Sequence, residues 1–128
     1  MNVVDTSAIV AVLFAEAGSE EIERKLVSSP CVMSAATRVE LGIVIEAKTG
    51  AAGTQLLDEL LARIAIKIEP VDAGIAEEAI VCWRRFGKGR HPAGLNYGDI
   101  FSYALARRMG QPLLFVGEDF SQTDLHNG

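Results

Sequence analysis

The chain has 128 residues, 49 % of them hydrophobic and only 6 % aromatic, with a formal net charge of −5. That length suits one domain burying roughly two-thirds of the surface its unfolded form exposes, and the composition excludes intrinsic disorder. The core is therefore aliphatic, with Phe14, Phe86, Phe101, Phe115 and Phe120 as its bulkiest pieces, and the negative charge excludes any general attraction for nucleic acid. A polyanion would have to be met by a local basic patch or by metal.

In chain order, residues 2–4 read as a short strand ending at Asp5, after which Thr6 or Ser7 can cap a helix through AIVAVLFAE. The apolar run AIVAVLFA followed by Ala15-Glu16-Ala17 imitates a signal peptide, but no Lys or Arg precedes it and Asp5 stands there instead. The run is also far too short to cross a bilayer, so we expect no membrane association and a cytoplasmic protein. Gly18 and Ser19 open a second helix over SEEIERKLVSS, Pro30 stops it, and VMS follows as a strand. Residues 35–48 read as a helix ended by Gly50, and residues 53–64 as another that leads to a strand over IKIEPV. Asp72 caps a helix through IAEEAIVCWRRF; the loop GKGRHPAGLN follows, and a last helix over residues 97–109 passes through Gly110 into the strand PLLFV. Strands alternating with helices imply an α/β domain with a mostly parallel sheet covered on both faces. No repeat or linker divides residues 1–128, which read as a single domain. Cys31 and Cys82 form no C-x-x-C motif and read as two reduced core thiols, with a disulfide left open.

In such sheets a ligand site lies at the carboxyl ends of the strands. Asp5 directly follows the first strand and Asp119 lies within three residues of Val116 after the last, so the two can share one rim. Glu40 lies four residues after Ala36, three before Ile43 and seven before Ala47; it interrupts the apolar stripe of its helix and should point inward. Asp99 falls in the first turn of the last helix, where the dipole favours a carboxylate. Structural readings compete: helix caps for Asp5 and Asp99, a turn for Asp119, and an Arg38 or Arg63 partner for Glu40. Four ionised acids within about 5 Å repel by roughly 3 kcal/mol per pair at an effective dielectric near 20, and without a cation they partly protonate. Hard oxygen donors suit Mg²⁺ or Mn²⁺ better than Zn²⁺, and His91 and His126 have no ligand spacing. A metal of this kind activates water and shields phosphate, which makes phosphodiester hydrolysis the natural chemistry.

These residues closely resemble the PIN-domain ribonucleases, in particular the VapC toxins of bacterial toxin–antitoxin pairs. The likeness spans nearly the whole chain, through VVDTSA, the R-V-E-L helix, H-P-A-G-L-N-Y-G-D, and the closing L-L-F-V-G-E-D-F with T-D-L. It implies a three-layer α/β/α fold, a homodimer, Mg²⁺-dependent cleavage of RNA, and a cognate VapB-like antitoxin that blocks the site. By the same resemblance Asp5, Glu40 and Asp99 match the three central metal-binding acids. The toxin subgroup more often ends in G-N-D-F, so Asp119 matches the fourth acid, Glu118 replaces the usual amide, and Asp124 ranks third. Ser7 resembles the hydroxyl residue that orders such sites by holding a carboxylate, a water or phosphate, a role compatible with capping a helix.

The segment WRRFGKGRH concentrates Arg84, Arg85, Lys88, Arg90 and His91, either to hold RNA phosphates or as a solvated helix face. Trp83 and Tyr97 either stack on unpaired bases or belong to the core or a dimer interface. The run AIVAVLFA is either plain core or part of a groove for an antitoxin helix. Two other classes stay open: a catalytically inactive PIN-fold RNA-binding module and a phosphoacceptor receiver-like signalling domain. A receiver would carry paired acids after its first strand and a late lysine, whereas Asp5 stands alone and no lysine follows Lys88.

Overall fold

Every strand of the sheet runs parallel to its neighbours. The strands are β1 (Asn2–Val4), β2 (Cys31–Ser34), β3 (Lys67–Glu69) and β4 (Leu113–Leu114), in the order β3-β2-β1-β4. The structure is a computed structural model describing residues 1–125, so His126 lies outside the described residues. Five helices cover the sheet: α1 (Thr6–Leu13), α2 (Ser19–Ser28), α3 (Ala35–Ile64), α4 (Ala73–Phe86) and α5 (Tyr97–Met109).

The period of two in a strand assigns successive side chains to opposite faces. Val3 pairs with Val32 and Leu113, and all three enter a cluster with Ile75, Cys82, Phe86 and Tyr103 from α4 and α5. Val4 and its partner Leu114 point the other way with Met33, onto Ile9, Leu26, Leu41 and Leu57 of α1, α2 and α3. Two apolar clusters separated by one sheet make the three-layer α/β/α architecture. Among the described residues no helix is long and apolar enough to cross a membrane.

Several local details differ from expectation for physical reasons. The cap of α1 is Asp5 itself, extended at φ −88° and ψ 158° with its carboxylate accepting from Ser7 N, rather than Thr6 or Ser7. Gly50 ends regular helix as expected (φ 70°, ψ −163°), yet helix resumes at once. The two halves of α3 fold back on each other, tied by Arg38–Asp58 at 3.3 Å and Thr54–Glu46 at 3.0 Å. In IKIEPV only Lys67–Glu69 pairs, and in PLLFV only Leu113–Leu114. Phe14 is 41 % exposed while the other four phenylalanines are buried, because Phe14 falls just past the end of α1. Cys31 and Cys82 are free and buried, and burial pushes the Cys82 thiol up to about 12, which keeps it protonated.

Candidate active site

Because the sheet is parallel, β1, β2 and β4 all release the chain at one rim. Asp5 leaves β1 there, 3 % exposed. One of its oxygens accepts from Ser7 N (3.1 Å) and Ser7 Oγ (2.7 Å), and the other from Ser102 Oγ of α5 (2.6 Å). Three donors make a buried carboxylate tolerable. The Ser7 hydroxyl also accepts from Val116 N at 3.0 Å, which ties the β4 exit to the same carboxylate. Ser102 spends its only proton on Asp5, so the buried Thr37 hydroxyl, 3.2 Å away, donates to Ser102.

Glu40 reaches this rim from the first half of α3. Its Oε1 accepts from Thr6 Oγ1 at 2.6 Å. A Cβ added at Gly98 would stand only 1.9 Å from Oε2, so the carboxylate lies directly over the first turn of α5. The apolar stripe assigned to its helix is not the buried one. Ile43 is 64 % exposed, and Thr37, Leu41 and Ile45 form the core face instead. Glu40 flanks that face and looks toward the rim rather than into the core. Neither suggested arginine reaches it, for Arg38 pairs with Asp58 and Arg63 with Glu23.

Asp99 does cap its helix, and it stands at the rim as well. Asn96 Oδ1 accepts from Asp99 N at 2.9 Å, and Asp99 Oδ2 accepts from Asn96 N at 3.0 Å, a reciprocal capping box. Burial pushes the Asp99 carboxyl up to about 7; the Asn96 amide opposes this, while the charges of Asp5, Asp119 and Glu40 push further upward. Asp99 thus feels each of the other three acids. Asp119 is exposed just before a 3-10 turn (Phe120–Gln122), and its side chain makes no capping bond. Glu118 beside it is exposed too.

Asp124 is engaged elsewhere. It accepts from Tyr103 Oη at 2.6 Å and pairs with Arg107 at 3.2 Å and Arg85 at 3.7 Å. Burial acts to raise its pKa, but the tyrosine and the two arginines outweigh that and hold it low. His91 accepts from Ala93 N and packs edge-on against Phe86, as a loop staple.

The acids stand around the rim without closing into a cage: among the described residues no three His, Cys, Asp or Glu side chains converge as a ready ligand set. The available donors are all oxygen, from carboxylates with hydroxyls behind them, and the crowding felt by Asp99 is what a cation relieves. This set fits a hard divalent ion that keeps much of its water. Sequence reasoning missed Thr6, Thr37, Gly98 and Ser102. Two signals were available: Ser102 falls three residues after Asp99 on one helix face, and Gly98 adjoins Asp99 at the crowded first turn.

The PIN domain family profile matches residues 3–125. A Ribonuclease VapC of Mycolicibacterium smegmatis is 50 % identical over 124 residues, spanning 96 % of each chain. Ribonuclease VapC30 of Mycobacterium tuberculosis is 48 % identical over 124 residues, 96 % of this chain and 95 % of its own. Among solved structures, Mycobacterium tuberculosis VapC20, described as a sarcin-ricin loop cleaving toxin, aligns with a TM-score of 0.79 at 20 % identity, covering 100 % of this chain and 98 % of its own. A toxin–antitoxin complex from Klebsiella pneumoniae gives 0.67 at 20 % identity, over 97 % of this chain and 93 % of its own. At such identity the structural likeness speaks for the fold alone. The receiver-like reading falls on the family match and on the strand order, which is not the 2-1-3-4-5 of that class.

Proposed function

The chain belongs to the PIN domain family, and from that premise we propose that it is an RNA-cleaving endonuclease, a VapC-type toxin that requires a divalent cation and is restrained by a cognate VapB-like antitoxin. The observation that carries this reading is the Asp99 carboxyl, crowded by Asp5, Asp119 and Glu40 at the carboxyl rim of a parallel sheet. Near-full-length relatives named as ribonucleases point the same way.

Asp5, Glu40, Asp99 and Asp119 would hold Mg²⁺, or Mn²⁺ in its place, directly or through water. Such an ion, when bound, supplies positive charge to the phosphate and lowers the pKa of water. The chain's own groups do the positioning. Ser7 and Ser102 fix both oxygens of Asp5, Thr6 holds Glu40, and the Asn96 box fixes Asp99. Each carboxylate keeps lone pairs for a further partner. No side-chain nucleophile is needed. An antitoxin arginine would pair well with the same acids and exclude the cation. A homodimer acting in the cytoplasm completes the proposal.

The test is to sequence RNA ends after brief expression of the wild type and of Asp99→Asn. New ends confined to the wild type are expected. The same ends in both strains would refute the assignment, and no new ends in either would favour an inactive RNA-binding member of the family.

A further inference from the structure

The segment joining α4 to α5 holds cations of a kind scarce elsewhere in the protein. Most basic side chains are spoken for by acids: Arg24 and Lys25 by Glu21, Arg38 by Asp58, Arg63 by Glu23, Lys67 by Glu69, Arg85 and Arg107 by Asp124, and Arg108 by Asp72. Among the described residues Arg84, Lys88 and Arg90 form no ion pair, although the chain is acidic overall. Arg90 instead lays its guanidinium over the Trp83 ring, 4.7 Å from the centroid, while its Nε donates to Arg84 O.

Beside them lies a cavity of about 410 Å³, walled by Trp83, Leu95, Tyr97 and Ile100, with Lys88 and Asn96 also lining it. Neither aromatic is a core residue, since Tyr97 is 78 % and Trp83 43 % exposed. The cavity adjoins the acid rim through a single residue, because the Asn96 that lines it also caps Asp99.

We infer that this cavity receives one unpaired nucleobase of the RNA, stacked against Tyr97 and Trp83, with Lys88 and Arg90 serving its flanking phosphates. The inference rests on the RNA-cleaving reading and adds to it a subsite for one base beside the acid rim. Aromatic faces accept any base, and cations beside them follow the backbone, which is how unpaired RNA is held. A strand with one phosphate at Asp99 passes directly to Asn96 and Tyr97. A second copy of this chain fits the patch less well, for a two-fold contact would bring two sets of unpaired cations together.

Trp83 is the only tryptophan, so its fluorescence reports on this cavity alone. The protein is titrated in EDTA with a short oligouridylate and with an abasic oligomer of equal length; Tyr97→Ala and Trp83→Ala are compared by anisotropy of the labelled oligouridylate. Quenching by the base-bearing oligomer only is expected, with affinity about ten-fold or more weaker in each variant and Tyr97→Phe close to wild type. Equal binding and quenching by the abasic oligomer overturns the inference in favour of phosphate contact alone. Conversion of a dimer to a monomer by Tyr97→Ala in sedimentation, with RNA affinity unchanged, overturns it in favour of an interface between copies. RNA cleavage in Mg²⁺ without quenching removes the base site and leaves the enzyme reading intact; base-dependent quenching without RNA cleavage removes the enzyme reading and leaves the base site; neither quenching nor cleavage removes both.

Discussion

Gly98→Ala tests how finely the Glu40 carboxylate is placed. The new methyl would stand 1.9 Å from Glu40 Oε2, and contacts below 3.0 Å do not persist, so the oxygen must retreat by at least 3.0 − 1.9 = 1.1 Å. The obstacle is the far end of a flexible side chain, so the fold absorbs the change; what is lost is the 2.6 Å bond from Thr6. That bond to a charged acceptor is worth about 1.5–3 kcal/mol when fully formed, and roughly 1 kcal/mol once the half-exposed Glu40 regains water. Replacing a helical glycine returns up to about 1 kcal/mol. The two nearly cancel, so urea unfolding in EDTA should move by less than about 1 kcal/mol. Cleavage should fall far more, since a misplacement of about 1 Å can lower a rate up to 100-fold. In a Glu40→Ala background the clash is gone, and Gly98→Ala should then stabilise by the full helical gain of about 1 kcal/mol. Full RNA cleavage by Gly98→Ala, or the same stability change in both backgrounds, would refute the reasoning.

Asp99→Asn should stabilise the metal-free protein in a pH-dependent way. The folded carboxyl titrates near 7 against an ordinary 3.8, so ionisation is penalised in the fold; the penalty is absent below the unfolded pKa, grows as pH rises, and is complete above the folded one. A shift of about three units caps the effect near 4 kcal/mol, and partial exposure reduces it to about 1–2 kcal/mol. Urea unfolding in EDTA at pH 4 and pH 8 checks this, and an equal difference at both would count against it. Ser102→Ala strips the buried Asp5 of a 2.6 Å donor and should cost about 1–3 kcal/mol by denaturant unfolding; a change below about 0.5 kcal/mol would deny the bond its role. Asp124→Asn should leave RNA cleavage at the wild-type rate while Asp119→Asn lowers it, and the reverse ranking in one cleavage assay would reassign the fourth acid.

Element punctuation was readable because it depends on neighbouring residues. Pro30 closes α2, Asp72 caps α4 with a bond to Ile75 N, and Gly110 ends α5 in the left-handed region. The alternation of strands and helices put Asp5 and Asp119 at the strand ends of one rim, and Asp99 was read from its place in the first turn of the last helix. Glu40 was harder, because which face of α3 is buried depends on the hairpin formed beyond Gly50, and periodicity alone chose the stripe that leaves Ile43 in solvent. The hydroxyls behind the acids were harder still. Ser102 meets Asp5 across 97 positions and Thr37 meets Ser102 across 65, and the one local trace is the spacing of Ser102 three residues after Asp99. Asp124 shows the converse, since only folding brings Tyr103, Arg85 and Arg107 around it.

The central claim is that the acid rim cuts RNA with the help of a divalent ion. The most direct measurement is cleavage of a defined single-stranded RNA by purified wild-type and Asp5→Asn protein, first in EDTA and then after Mg²⁺ is restored. The expected result is no cleavage by either in EDTA, cleavage by the wild type alone once Mg²⁺ returns, and cooperative unfolding for both proteins. Cleavage by the wild type in EDTA, or by Asp5→Asn at the wild-type rate, would contradict it.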